Sequence, residues 1–190
     1  MLQDKELLKQ MVRGDKQALR LIYEKYKEDL FTVAMSLLRN VDLAEDCVSD
    51  VFVRFAGSVN NLRIHSNLKG YLVSSAANRA KDILKKVGNR KNLDVETIGD
   101  SEIFIDPTIK VDEVEEKRQI FAALKKLPYD QQEVFIMHIQ ADLKFREIAK
   151  VKKVSIKTIQ SRYRYAIEKL RAILKKEDDY EVREQNRKIS

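Results

Sequence analysis

The sequence predicts an all-α fold: two small helical bundles joined by an acidic linker, the second bundle containing a helix-turn-helix. Three observations lead there. Apolar residues recur at three- and four-residue steps, as in Leu19, Ile22, Tyr26, Leu30, Val33 and Leu37, or Ile156, Ile159, Tyr163, Ala166, Leu170 and Ile173. Glycine and proline number only five and two in 190 residues, so few positions interrupt a helix. Charge is uneven: Lys144 to Lys176 carries twelve Lys and Arg against Glu147 and Glu168, a local +10 that exceeds the +7 of the whole chain.

Residues 5–39 read as helix, with Gly14-Asp15 breaking the segment near its start. A second helix is expected to open at Asp42, with Glu45 three positions on in a capping-box arrangement, and to bury Ala44, Cys47 or Val48, Val51, Phe52 and Phe55. Gly57 to Ser66 is turn-like and polar. A third helix starts at Asn67, carries Leu68, Tyr71, Leu72, Ala76, Ala80 and Ile83, and ends at Lys85-Lys86 before Gly88. These elements define a first domain over 1–87. Residues 88–111 form the linker, and the acids cluster from Asp94 to Glu116, where Lys110 is the one base. Such a length without periodicity is uncommon inside a compact domain unless it has a task.

The second domain spans 112–176. Val114, Ile120, Phe121, Leu124 and Leu127 share a face, Pro128 ends that helix, and Asp130 with Glu133 repeats the capping-box pattern. Val134, Ile136, Met137 and Ile139 carry the chain to a break at Gln140 to Leu143. Phe145, Ile148 and Ala149 then give a short helix. Ser155 is placed to cap a longer one, whose opposite face shows Lys157, Gln160, Ser161 and Arg164. Short helix, turn and cationic second helix make a helix-turn-helix, whose second helix enters a DNA major groove. Positive charge gathered on one element is the footprint of phosphate binding. Residues 177–190 are charged and largely aperiodic, and are expected to form a frayed polar tail.

Composition narrows the function. There is no run of eighteen uncharged apolar residues, and the first residues alternate charges where a signal peptide is apolar, so a cytoplasmic chain with no membrane insertion is expected. The single cysteine, Cys47, excludes an internal disulfide and reads as a small packed hydrophobe. His65 and His138 are far apart with no cysteine nearby, so no metal is expected. No phosphate-binding glycine loop and no nucleophile–histidine pairing occur, which argues against an enzyme and implies no cofactor.

Three segments of the first domain, RGDKQALRLIYEKYKEDLFTVAMSLL, AEDCVSDVFVRF and LKGYLVSSAANRAKD, resemble region 2 of bacterial RNA polymerase sigma factors. The run LPYDQQEVFIMHIQADLKFREIAKVKKVSIKTIQSRYRYAIEKLR resembles region 4. Together they resemble the short extracytoplasmic-function (ECF) group of the sigma-70 family, over about residues 8–86 and 112–174. The resemblance implies a protein that binds core RNA polymerase, recognises the promoter minus-thirty-five and minus-ten elements and promotes strand opening. It implies core polymerase and promoter DNA as partners and leaves room for an anti-sigma factor. By position, Asp46, Ser49, Asp50, Val51, Phe52 and Arg54 would dock on the polymerase. The loop Asn60 to Ser66 with Tyr71, Ser74, Asn78, Arg79, Asp82 and Lys85 would read the minus-ten strand, whose recognition combines stacking, cations and pockets for extruded bases. Lys157, Thr158, Gln160, Ser161 and Arg164 would enter the minus-thirty-five groove, with Lys153 and Arg162 on phosphate. The acidic linker resembles the family's connector.

Bland readings stand beside these. Tyr71 equally suits a core aromatic, Asn78 an internal hydrogen bond, and Asp82 a pairing with Lys85 or Lys86. A stand-alone helix-turn-helix regulator is the alternative function, although it has no need of the Ala44-Glu45-Asp46 helix. The chain also departs from the family pattern. Ser49 stands for a usual Gln, Tyr71 for a Trp, Lys157 for a common Gly, Lys144 for a capping Ser or Asp, and Lys152-Lys153 for the Leu-Gly of the motif's turn. A non-glycine residue held at positive φ there costs about 1 kcal/mol.

Overall fold

The computed structural model describes residues 2–59, 67–90 and 119–189. Its helices are α1 (Leu2–Val12), α2 (Lys16–Leu38), α3 (Val41–Ser58), α4 (Leu68–Arg90), α5 (119–125), α6 (Tyr129–Ile139), α7 (Phe145–Lys152) and α8 (Ile156–Ile189), with no strand among the described residues. The break between α1 and α2 falls at Gly14-Asp15: Gly14 takes φ +89, and the Asp15 carboxylate accepts the Gln17 N–H at 2.8 Å. Tyr26 and Lys25 of α2 both donate to Asp4 of α1, at 2.9 and 2.6 Å. Burial, then that acid, push the Tyr26 phenol up to about 12.

Other boundaries differ from expectation. The cap of α3 is Asn40, whose side chain accepts the Leu43 N–H at 2.8 Å, so Asp42 lies inside the first turn. The residue before α6 is Pro128, which provides no side-chain cap, and Glu133 points inward instead of back to the helix start. Asn67 caps α4 through the Gly70 N–H at 2.8 Å, but the helix runs through Gly88 to Arg90. One glycine near a helix end costs only about 1 kcal/mol. The expected frayed tail is likewise helical backbone to Ile189. Residues 177–189 contain no Gly or Pro and are rich in Glu, Arg, Gln and Lys, all good helix formers.

In the N-terminal unit, Ala18, Ile22, Tyr26, Leu30, Val33 and Leu37 of α2 pack on Ala44, Cys47, Val51 and Phe55 of α3 and on Leu72, Ala76 and Ala80 of α4. Cys47 is fully buried; its thiol lies 3.5 Å from the Ala76 carbonyl oxygen, and burial pushes it up to about 11. The C-terminal unit adds a smaller cluster in which Ala123, Leu124 and Leu127 meet Ala166 and Leu170, so α5 lies on α8.

The two helical units expected from the sequence are present and pack against each other. Val134, Ile136, Met137, Leu143, Ile148 and Ile159 belong to the same continuous core as the N-terminal unit, and α4 packs on both α6 and α7. The physical reason is that α6 and α7 carry apolar side chains on more than the face their own unit can bury. Of the linker, residues 88–90 continue α4, and 91–111 lie outside the described residues.

Candidate nucleic-acid interface

The helix-turn-helix is built by α7 and α8. No side chain caps α7 at Lys144. Instead Glu147 reaches back and accepts the Lys144 N–H at 2.8 Å. At the other end Lys153 adopts φ 55, ψ 41, the left-handed conformation expected at this turn, while the Val154 N–H returns to the Ala149 carbonyl at 3.1 Å. Ser155 then caps α8, its hydroxyl accepting the Thr158 N–H at 3.0 Å and lying 2.8 Å from the Thr158 hydroxyl. The orientation of the pair is set by an aromatic cluster. His138 lies 4.4 Å from Phe145 and 5.0 Å from Tyr163, Phe135 stacks on Tyr163 at 6.2 Å, and a His138 Nδ1–H donates to the Leu143 carbonyl at 2.8 Å. In the sequence this cluster is marked only by Phe135 and His138 one helical step apart.

Lys157, Gln160, Ser161 and Arg164 lie at steps of three and four on one face of α8, with Lys157, Gln160 and Arg164 exposed. Arg164 is held lightly, by Glu168 at 3.8 Å and the Tyr165 ring at 5.1 Å. Lys153 is exposed beside this face, whereas the Thr158 hydroxyl is engaged in the cap. Arg162 is turned away from it and bonds Asp130 of α6 at 2.7 Å, so in this conformation it braces α6 against α8 and is not available to phosphate.

On α4, Asn78, Asp82 and Lys85 are exposed. Tyr71 is half-buried, its ring 6.2 Å from Phe55, so the core-aromatic reading holds for part of its surface. Ser74 is 6 % exposed and cannot meet a strand in this conformation, because α4 turns that side toward the C-terminal unit. Asn78 accepts from Lys152 Nζ at 3.0 Å. Arg79 pairs with Asp50 of α3, its Nε 2.7 Å from the carboxylate, which ties two proposed sites to each other. The loop 60–66 lies outside the described residues.

The face of α3 also needs correction. Asp46, Ser49 and Arg54 are exposed and Asp50 is half-buried, but Val51 and Phe52 are 3 % and 6 % exposed. They face the core, Phe52 edge-on to Tyr23 at 4.9 Å. Val53 is instead 72 % exposed and two turns from Asp46, so Asp46, Ser49, Asp50 and Val53 form one outward stripe.

Comparison with known proteins places this geometry. The models for Sigma-70 region 2 and Sigma-70, region 4 match residues 22–90 and 117–170. RNA polymerase sigma factor SigV of Bacillus subtilis is 29 % identical over 153 residues, 80 % of this chain and 89 % of SigV. The ECF RNA polymerase sigma factor EcfG of Rhodopseudomonas palustris is 30 % identical over 148 residues, 74 % of this chain and 76 % of EcfG. Among solved structures, the sigma factor RpoE of Bartonella quintana, crystallised with the anti-sigma factor NepR, matches with a TM-score of 0.65 and 26 % identity. That match covers 84 % of this chain and 96 % of RpoE. The chain belongs to the sigma-70 family of RNA polymerase sigma factors. Within the family it is a promoter-recognising factor of the ECF type.

Proposed function

We propose that this sigma factor divides its work among three faces. The α3 stripe of Asp46, Ser49, Asp50, Val53 and Arg54 docks on core RNA polymerase. An exposed valine ringed by polar groups suits such a protein contact. On α4, Asn78, Asp82, Lys85 and the open edge of Tyr71 meet the minus-ten strand. On α8, Lys157, Gln160, Ser161 and Arg164 enter the minus-thirty-five groove, with Lys153 on phosphate. Arg to guanine and Gln to adenine are the pairings that major-groove geometry favours. The observation that supports the division most directly is the α8 face: four groove-capable side chains in line behind a capped helix-turn-helix, their partners few and weak.

The factor performs no catalysis of its own and acts in the cytoplasm, where polymerase and promoter meet. An anti-sigma factor is a further partner, as RpoE has in NepR. The test is transcription in vitro from genomic fragments with core RNA polymerase, comparing the wild-type chain with Arg164→Ala and Val53→Asp. Arg164→Ala should lose selectivity among promoters, and Val53→Asp should lose polymerase binding with duplex binding intact. A Val53→Asp chain that still co-elutes with core polymerase would remove the α3 stripe from the assignment.

A further inference from the structure

Glu168 is the one acid between Ser155 and Lys176, and it falls on the reading face of α8. Lys157, Ser161, Arg164 and Glu168 follow one another at steps of four, three and four, and Arg171 and Lys175 continue the stripe by three and four. Ser161 is half-buried and the other five are exposed. At 1.5 Å per residue Glu168 lies about 16 Å along the helix from Lys157, farther than the roughly 12 Å width of a major groove. A helix that enters the groove by its first turns therefore brings Glu168 to the groove's edge, where the phosphates run. A carboxylate at that point opposes binding, because it repels phosphate and offsets a neighbouring cation.

The acid adds little to the fold either. Its Oε1 is 3.8 Å from Arg164 Nε, and the two side chains are 61 % and 63 % exposed. The stabilising order along a helix puts the acid four residues before the cation, and here the order is reversed. What the acid does have is a hold on Arg164, which it shares with Tyr165, whose ring centre is 5.1 Å from the guanidinium carbon. Tyr165 is 49 % exposed and stands about 100° around the helix from the buried Ala166, so its ring does not fill the core. A flexible arginine loses side-chain freedom when it fixes on a base edge. A ring and a carboxylate that narrow its range beforehand reduce that loss.

We propose that Glu168 and Tyr165 are positioning residues that make Arg164 selective. Tyr165 stacks on the guanidinium and fixes its plane. Glu168 draws it away from phosphate, so Arg164 bonds best where a base edge offers two acceptors at once, as O6 and N7 of guanine do. This rests on the assignment of the α8 face to the minus-thirty-five groove. The acid weakens binding to every duplex, but least to one that places guanine at Arg164, and specificity is that difference.

The test uses the full chain assembled with core RNA polymerase. A promoter found among genomic fragments is rebuilt as a library with its minus-thirty-five element randomised, and transcripts counted for each member give the preference at each base pair. Arg164→Ala identifies the pairs that Arg164 reads. Glu168→Gln should lower the preference at those pairs about two- to fivefold by raising transcription from disfavoured members, a gain that a damaged fold does not produce. Tyr165→Ala should lower the same preference, and Tyr165→Phe, which keeps the ring, should retain it. A Glu168→Gln factor that raises all members equally, or keeps the wild-type preference, overturns the proposal. A change confined to pairs that Arg164→Ala leaves untouched also overturns it, since Glu168 would then read a base itself. If Arg164→Ala alters no preference, the assignment of the α8 face fails and the proposal with it.

Discussion

Arg162 and Arg164 are two residues apart, about 200° around the axis of α8, and that rotation separates their roles. Arg164 reaches outward with only an exposed glutamate and a tyrosine ring beside it, whereas Arg162 is drawn inward by Asp130. Arg164→Ala should therefore weaken duplex binding by about 1–3 kcal/mol and relax preference at one or two base pairs, as competition with mismatched duplexes would read. Arg162→Ala should leave base preference unchanged and lower thermal stability slightly, since a half-exposed ion pair contributes about 0–1 kcal/mol. Asn78→Ala tests the strand reader: promoter opening, followed by permanganate reactivity of unpaired thymines, should fall while duplex binding by α8 is kept. Cys47 provides a probe of a different kind. Its thiol is held neutral by burial, to about 11, so iodoacetamide at neutral pH should spare the folded chain and label it only on unfolding. As pH rises from the ordinary thiol range toward that value, the unfolded chain loses its proton first and stability declines.

At the scale of elements, what was legible in the residues was local. The stripes of α2 and α8, the interruption at Gly14-Asp15 and the Ser155 cap each depend on neighbours within a turn or two, so a one-dimensional reading finds them. The α7–α8 turn, which the replacement of Leu-Gly by Lys152-Lys153 put in question, keeps a left-handed residue, and Lys153 occupies it. Lys153→Gly should raise stability to thermal denaturation by about 1 kcal/mol and cost some DNA affinity through the lost cation. Other features were hidden because their causes are distant. Nothing near Glu133 says that it turns inward to Lys152, nineteen residues on, and a capping pattern was the nearest explanation within reach. Val51 and Phe52 were read as docking residues by position in a motif, and the packing of α3 on α2 turned them inward.

Across the whole molecule, two recognition units share one core, and their arrangement rests on pairings that cross from α4 to α6 and α7. The chain should co-elute with core RNA polymerase as a one-to-one complex, and loss of that complex in Val53→Asp would tie docking to α3. The Lys152–Glu133 pair has a further consequence. Mobile ions screen charges that water can reach, within roughly 8–10 Å at ordinary ionic strength, but do little to a pair as buried as this one. Phosphate contacts behave oppositely, since each releases condensed counterions and weakens steeply as electrolyte is added. Raising the potassium concentration should therefore weaken duplex binding while leaving this pair intact, so the packing of α4 on α6 and α7 persists under the conditions that detach the factor from DNA.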